Sequence, residues 1–163
     1  MDAFLGLGSN LGDRAGNLQR AVELLNAEPG IEVVASSSVW ETDPVGGPSQ
    51  PDYLNAVVRA RTDLAPHDLL QACLRAEAAL GRVRNVRWGP RTVDIDVLLV
   101  DALVIDDADL TVPHPRMTER AFVLLPLLEL DPEASLPDGT RLLDLHVDPE
   151  GARLFAPPLV LGG

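Results

Sequence analysis

Asp94 and Asp96 stand two residues apart inside "RWGPRTVDIDVLLVD". Val93, Ile95 and Val97 alternate with Thr92, Asp94 and Asp96, a period of two that predicts a β-strand with both carboxylates on one face. At a strand's rise their backbones lie about 6.6 Å apart. Two like charges on one face repel unless something positive lies between them. The preceding stretch, "RVRNVRWGPR", supplies Arg82, Arg84, Arg87 and Arg91 with no acid among them. One reading pairs each aspartate with an arginine, and the loop is then a solvated run that balances nearby acids. The other places a divalent cation at the aspartates and a polyphosphate at the arginines. All-oxygen ligands suit Mg²⁺, which keeps waters and takes further ligands from substrate phosphates. Guanidinium binds phosphate oxygens bidentately and stays charged at any working pH.

The rest of the composition narrows the chemistry. The 163 residues are enough for one domain, carry a net charge of -12 and include no lysine. The acidity argues against broad nucleic-acid binding. The missing lysine excludes a P-loop, a Schiff-base lysine and a kinase-type strand lysine. The single cysteine, Cys73, permits no internal disulfide and no cysteine-rich zinc site. It sits among Leu69, Leu70 and Leu74 and reads as core, and a reducing cytoplasm is the expected compartment. No apolar run is long enough to suggest a membrane span, and the start does not read as a signal peptide.

The elements that must position these groups follow from periodicity. "DAFLGLGS" reads as a strand. Leu18, Ala21, Val22 and Leu25 recur at helical spacing before Pro29-Gly30 stops them. "IEVVASSSVWETDP" is β-rich, runs into a turn and counts as the second strand of the order, "VGGPSQPD" is a loop and "YLNAVVRARTDL" the next strand. "APHDLLQACLRAEAALG" is a second helix, with Pro66 in its first turn and Gly81 past its end. The aspartate strand comes next. This order is the ferredoxin-like split motif, an α+β fold with a βαββαβ core, a mostly antiparallel sheet and helices on one face. A short extended piece, a Pro-His-Pro turn, a helix interrupted at Pro126 and a loosely structured tail complete one domain over 1–163. "GLGSN" lacks the third glycine of a dinucleotide fingerprint.

Several segments together resemble one family. "RWGPRTVDIDVLL" is similar to the signature of the 6-hydroxymethyl-7,8-dihydropterin pyrophosphokinases of folate biosynthesis. "GLGSNLGDR", "ETDPVGG", "QPDYLNAVV", "EAALGRVR", "LTVPHPRMTERAFVLLPL" and "PDG" are also similar to that family, in order, over about residues 3 to 140. An isolated D-x-D is a weak signal, whereas the ordered set is specific. The resemblance implies transfer of a diphosphoryl group from ATP to the pterin's primary hydroxyl, with two Mg²⁺ ions and release of AMP. It also implies a monomer.

Residue by residue, the resemblance implies that Asp94 and Asp96 hold the ions. It makes Arg82 and Arg91 catalytic contacts to phosphate, with Arg84 assisting and Trp88 folding over both ligands. Glu77, Leu98, Thr111, His114 and Arg120 would serve the ATP side. Thr42, Asp43, Val45, Tyr53, Asn55 and Phe122 would line the pterin slot, with Tyr53 and Phe122 as stacking rings. Asn55 both donates and accepts, which suits the pterin's amide and guanidine edge. Asp109, Pro115 and Asn85 depart from residues that some relatives carry and bear on ATP affinity. His67 and His146 match nothing and read as surface residues.

Two other functions compete with the pyrophosphokinase. A ferredoxin-like module could bind a small ligand without chemistry, because fold does not determine function. A Mg²⁺-dependent phosphohydrolase could use the same carboxylates, but no water-activating group stands out. The sequence does not identify a general base.

Overall fold

The computed structural model describes residues 1–43, 52–81, 93–145 and 151–161. Its elements are β1 (Asp2–Ser9), α1 (Arg14–Ala27), β2 (Ile31–Ser36), β3 (Val39–Thr42), β4 (Tyr53–Thr62), α2 (Pro66–Ala79), β5 (Asp94–Val100), β6 (Ile105–Asp106), β7 (Thr111–Val112), α3 (Ala121–Leu130) and β8 (Ala152–Ala156). The main sheet runs β5-β1-β4-β3-β8, with β2 also on β4 and every pairing antiparallel. The split βαββαβ core is therefore present. β1 and β4 are its central strands, and β5 is an edge.

Local chemistry explains the helix boundaries. Asp13 caps α1 by accepting a hydrogen bond from the Gly16 N–H at 3.1 Å. Pro66 opens α2, where its missing N–H costs nothing. Gly81 follows α2 at φ +76°, a left-handed conformation that other residues reach only with strain. The apolar spacing buries Leu18, Ala21, Val22 and Leu25 of α1, and Leu69, Ala72, Cys73 and Ala76 of α2. These pack on Ala3, Leu5 and Leu7 of β1 and on Ile95 and Val97 of β5.

Four expectations are corrected. The stretch after Gly30 is two strands, interrupted at Ser37, whose N–H still donates to the Val57 carbonyl at 2.9 Å. There the Ser37 Oγ accepts from the Val57 N–H at 2.9 Å in place of a main-chain partner. Helices cover both faces of the sheet: α3 packs opposite α1 and α2, burying Val123, Leu124 and Leu127 against Phe4, Val57 and Leu99. α3 also runs through Pro126 without interruption. An interior proline costs about 3 kcal/mol. Three buried aliphatic side chains at about 1.5–3 kcal/mol each outweigh it. The described part of the tail has regular structure as well: β8 pairs with β3, and Leu142 is fully buried.

A bulge in β5 matters for the site. Phe4 of β1 lies opposite Leu99 and Leu5 opposite Val97, so Leu98 is an extra residue. Leu98 and Leu99 both join the core beneath α3. Asp94 and Asp96, before the bulge, keep the strict alternation with buried Ile95 and Val97.

Candidate active site

The sheet register assembles the site on the face that α3 covers. Asp94 lies opposite Gly8, Gly8 opposite Asn55, and Asn55 opposite Trp40. Asp96 lies opposite Gly6, and Gly6 opposite Val57. Directly opposed residues in antiparallel strands share a face. Asp94 and Asp96 therefore look across two glycines toward β4. The carboxylate strand and Asn55 are two interstrand spacings apart, about 9.6 Å. With no side chains at Gly6 and Gly8, a shallow trough is left between them.

Gly8 lies in this trough, a place the motifs alone do not single out. A Cβ there would lie 2.9 Å from the Asn55 Oδ1, closer than real contacts allow. Gly6 is less constrained, with its nearest contact at 3.4 Å from Leu98. The sequence did hold a signal: two glycines at period two in a strand, with the same spacing as the two aspartates.

Several residues expected to line a pterin slot come together at the end of β3 and β4. Thr42 pairs with Tyr53 at the last rung of the β3–β4 ladder. Asn55 Nδ2 donates to Thr42 Oγ1 at 2.7 Å, and both residues are buried. That bond orients the Asn55 amide. Trp40 Nε1 donates to Glu129 Oε1 of α3 at 3.2 Å, and the Ser38 N–H and hydroxyl donate to Glu129 Oε2. Glu129 thereby ties α3 to β3 at the rim. Phe122 stands in the first turn of α3, with the Arg120 guanidinium 5.3 Å from its ring centre. Asp43 is exposed beyond the end of β3, at the margin of the slot. Val45 lies outside the described residues.

The residues expected on the ATP side gather around β5. His114 donates its N–H to the Leu98 carbonyl at 2.9 Å, while the Leu98 side chain is buried. His114 Nδ1 accepts from the Arg116 N–H at 3.2 Å, which leaves Nε2 as the protonated nitrogen of a neutral ring. Burial first, then the charges of Arg120 and Arg116, hold the imidazole below its ordinary value. Arg120 is half-buried, and burial lowers its proton affinity. Asp96 opposes this, Arg116 adds to it, and Glu119 and Asp94 oppose it further. Arginine's ordinary value is so high that the charge persists. Arg120 thus directs a cation toward both site aspartates. Thr111 sits on β7, which packs beside β5.

Glu77 approaches from the other face. It is buried on α2, and its Oε2 accepts from the Ile95 N–H at 2.8 Å, between the two aspartates in sequence. Cys73 lies nearby in the same core. Burial, helped by the Glu77 and Asp96 charges, pushes its thiol up to about 12, so it is no nucleophile near neutrality. Arg82, Arg84, Trp88 and Arg91 lie outside the described residues.

Two other features compete for attention. A surface pocket among Asp2, Phe4, Arg59, Leu99 and Asp131 lies toward the other end of the α3 face and holds none of the site residues. His67, expected on the surface, is partly exposed and places Nε2 2.9 Å from Asp107 Oδ2 and 3.5 Å from Asp109 Oδ1.

A family model for the 7,8-dihydro-6-hydroxymethylpterin-pyrophosphokinases (HPPK) matches residues 4–132. The chain belongs to this family. A 2-amino-4-hydroxy-6-hydroxymethyldihydropteridine pyrophosphokinase of Methylorubrum extorquens is 51% identical over 150 residues, covering 91% of this chain and 95% of the relative. One of the same name from Bacillus subtilis is 44% identical over 153 residues, covering 94% and 89%. A triple mutant of Plasmodium falciparum HPPK-DHPS has a TM-score of 0.71 at 15% identity, covering 88% of this chain and 42% of that chain. The wild-type form gives 0.63, again at 15% identity and with coverage of 88% and 42%. These last likenesses are of fold, and the chain spans less than half of those longer proteins. Family membership makes this HPPK chain an ATP-dependent diphosphotransferase of folate biosynthesis, which sets aside the non-catalytic module. No helix among the described residues is long and apolar enough to cross a membrane.

Proposed function

We propose that this pyrophosphokinase binds 6-hydroxymethyl-7,8-dihydropterin at Thr42, Tyr53, Asn55 and Phe122, and ATP across Asp94, Asp96, His114 and Arg120. The observation that carries this reading is the register. Both aspartates and Asn55 face one trough across Gly6 and Gly8. The pterin's hydroxymethyl group would then point from Asn55 toward the phosphates.

The donor set fits Mg²⁺. Two carboxylates, neither of them fully buried, share a face and leave other positions for water and phosphate oxygens. His67, Asp107 and Asp109 form a three-ligand cluster, but they lie at the start of α2 and in the β6–β7 turn, not in the trough. Asp94 and Asp96 would hold the ions, which when bound neutralise phosphate charge and help align the triphosphate.

The chain's own groups do the rest. His114 donates from Nε2 to a phosphate oxygen, and Arg120 adds a fixed positive charge beside it. Leu98 acts through its carbonyl, which holds the His114 backbone. Glu77 steadies the β5 backbone at Ile95. Asp43, Val45 and Thr111 border the two ligands. Arg82, Arg84, Arg91 and Trp88 carry the roles that the family resemblance implies, with Arg82 and Arg91 acting on the transferring group. The pterin hydroxyl attacks the β-phosphorus and gives up its proton to solvent, the bond from that phosphorus to the α–β bridging oxygen breaks, and AMP leaves with that oxygen. Phosphoryl chemistry of this kind depends on positioning and charge neutralisation more than on covalent help. The protein works as a monomer in the cytoplasm, without nucleic acid or membrane.

AMP release with and without the pterin tests the proposal in the presence of ATP and Mg²⁺. AMP should form only with the pterin, in step with its diphosphate. Equal AMP formation without the pterin points to hydrolysis and overturns the reading.

A further inference from the structure

Arg153 of β8 is opposite Glu41 of β3 in the sheet register. Its Nε donates to Glu41 Oε1 at 3.0 Å and its Nη1 to Asp43 Oδ1 at 3.2 Å. Its Nη2 donates to Asp52 Oδ2 at 2.5 Å. One guanidinium thus holds three carboxylates, from β3, from the residue after it and from the residue before β4. Arg14, the first residue of α1, binds the same group from the other side. Its Nη1 donates to Glu41 Oε2 at 2.9 Å and to the Asp52 carbonyl at 3.0 Å. The Asp43 N–H also donates to the Gly151 carbonyl at 3.0 Å, so β8 reaches this corner through its backbone as well.

The location of this network is informative. Strand alternation puts Glu41 and Arg153 on the α1 side of the sheet, while Trp40, Thr42, Tyr53 and Asn55 face α3. Glu41 and Arg153 therefore sit behind the proposed pterin slot and cannot touch a ligand in it, and Asp43 links the network to the slot's margin. Thr42–Tyr53 is the terminal rung of its ladder, and terminal rungs open most readily. Without Arg153, three carboxylates would crowd behind that rung with Arg14 as the remaining cation of the group. Like-charge repulsion would then spread β3 from β4 and disturb the Thr42–Asn55 hydrogen bond.

We propose that Arg153 is a positioning residue for the pterin slot: from the C-terminal strand it clamps Glu41, Asp43 and Asp52 so that Thr42, Tyr53 and Asn55 keep their binding geometry. This rests on the assignment of the pterin to that face. The clamp is largely exposed, and exposed ion pairs add little to global stability. Its effect is local, and a general loss of folding would leave a different signature.

Calorimetric titrations of Arg153→Ala and Arg153→Lys with the pterin and with a nonhydrolysable ATP analogue test this, alongside thermal melting. Arg153→Ala should raise the pterin Kd about tenfold and the analogue Kd less than about twofold, with little change in melting temperature. Arg153→Lys should fall between wild type and Arg153→Ala, because an ammonium keeps the charge but not the three-way fork. Unchanged pterin affinity in Arg153→Ala overturns the proposal. So does an equal loss of both ligands with a lowered melting temperature, which marks a merely structural role. Asn55→Leu separates this from failure of the underlying assignment. If Asn55→Leu weakens the pterin and Arg153→Ala does not, only the clamp is wrong. If Asn55→Leu leaves pterin affinity intact, the slot assignment falls and the clamp with it.

Discussion

Gly8 lies directly opposite Asn55, and any side chain at Gly8 would push on the Asn55 amide oxygen from 2.9 Å. Asn55 cannot yield without straining its 2.7 Å bond to Thr42. Gly8→Ala should therefore weaken pterin binding by about 0.5–1.5 kcal/mol, the net worth of one hydrogen bond. Gly6→Ala, with its nearest contact at 3.4 Å, should have a smaller effect. Titration of both variants with the pterin decides it, and a larger loss in Gly6→Ala contradicts the proposed trough.

Asp94→Ala and Asp96→Ala should each lower turnover by at least about a hundredfold while the fold survives. Each removes a proposed ligand of the bound dication, whose charge stabilisation is worth several kcal/mol. Rates measured in excess Mg²⁺, with circular dichroism as the folding control, provide the check. Near wild-type turnover in both would remove the metal from these residues.

Glu77→Ala should destabilise the protein by about 1–3 kcal/mol, because the buried Ile95 N–H loses its acceptor. Glu77→Gln keeps an acceptor oxygen and should retain most of that stability. Urea unfolding of the two variants separates them. If they are equally stable, the bond to β5 contributes nothing.

His114 makes stability depend on pH with a definite sign. Its native imidazole is held below the ordinary value of about 6.5 by burial, Arg120 and Arg116. Below about pH 6.5 the unfolded chain takes up the proton first, so its contribution to stability falls as pH drops toward the native value. Above that window it has no effect. His114→Gln should lose less stability than wild type between pH 7 and about pH 5. Parallel pH profiles in thermal melts would show that the imidazole is not perturbed.

Much of this protein could be read from local pattern. Period two placed Asp94 and Asp96 on one face of a strand, and the structure keeps them there because Ile95 and Val97 are buried on the other. Helical spacing and the Pro66 and Gly81 boundaries located α1 and α2, since capping and backbone preference act within a turn. The ordered motifs alone point to the pyrophosphokinase family.

Other features depend on which strand lies beside which. Gly8 becomes part of the site only when β4 brings Asn55 against it. Glu77 reads as one more helical acid until α2 carries it to the Ile95 N–H. The tail reads as loose until β8 adds to β3 and delivers Arg153 to three carboxylates more than 100 positions away in the chain. Pro126 reads as a break until burial of its neighbours against the second sheet face outweighs the lost hydrogen bond. Local sequence determines propensity and which side chains share a face, because those interactions span a few residues. Register, the second core and the clamp come from contacts between residues distant in sequence, and only the folded chain brings those together.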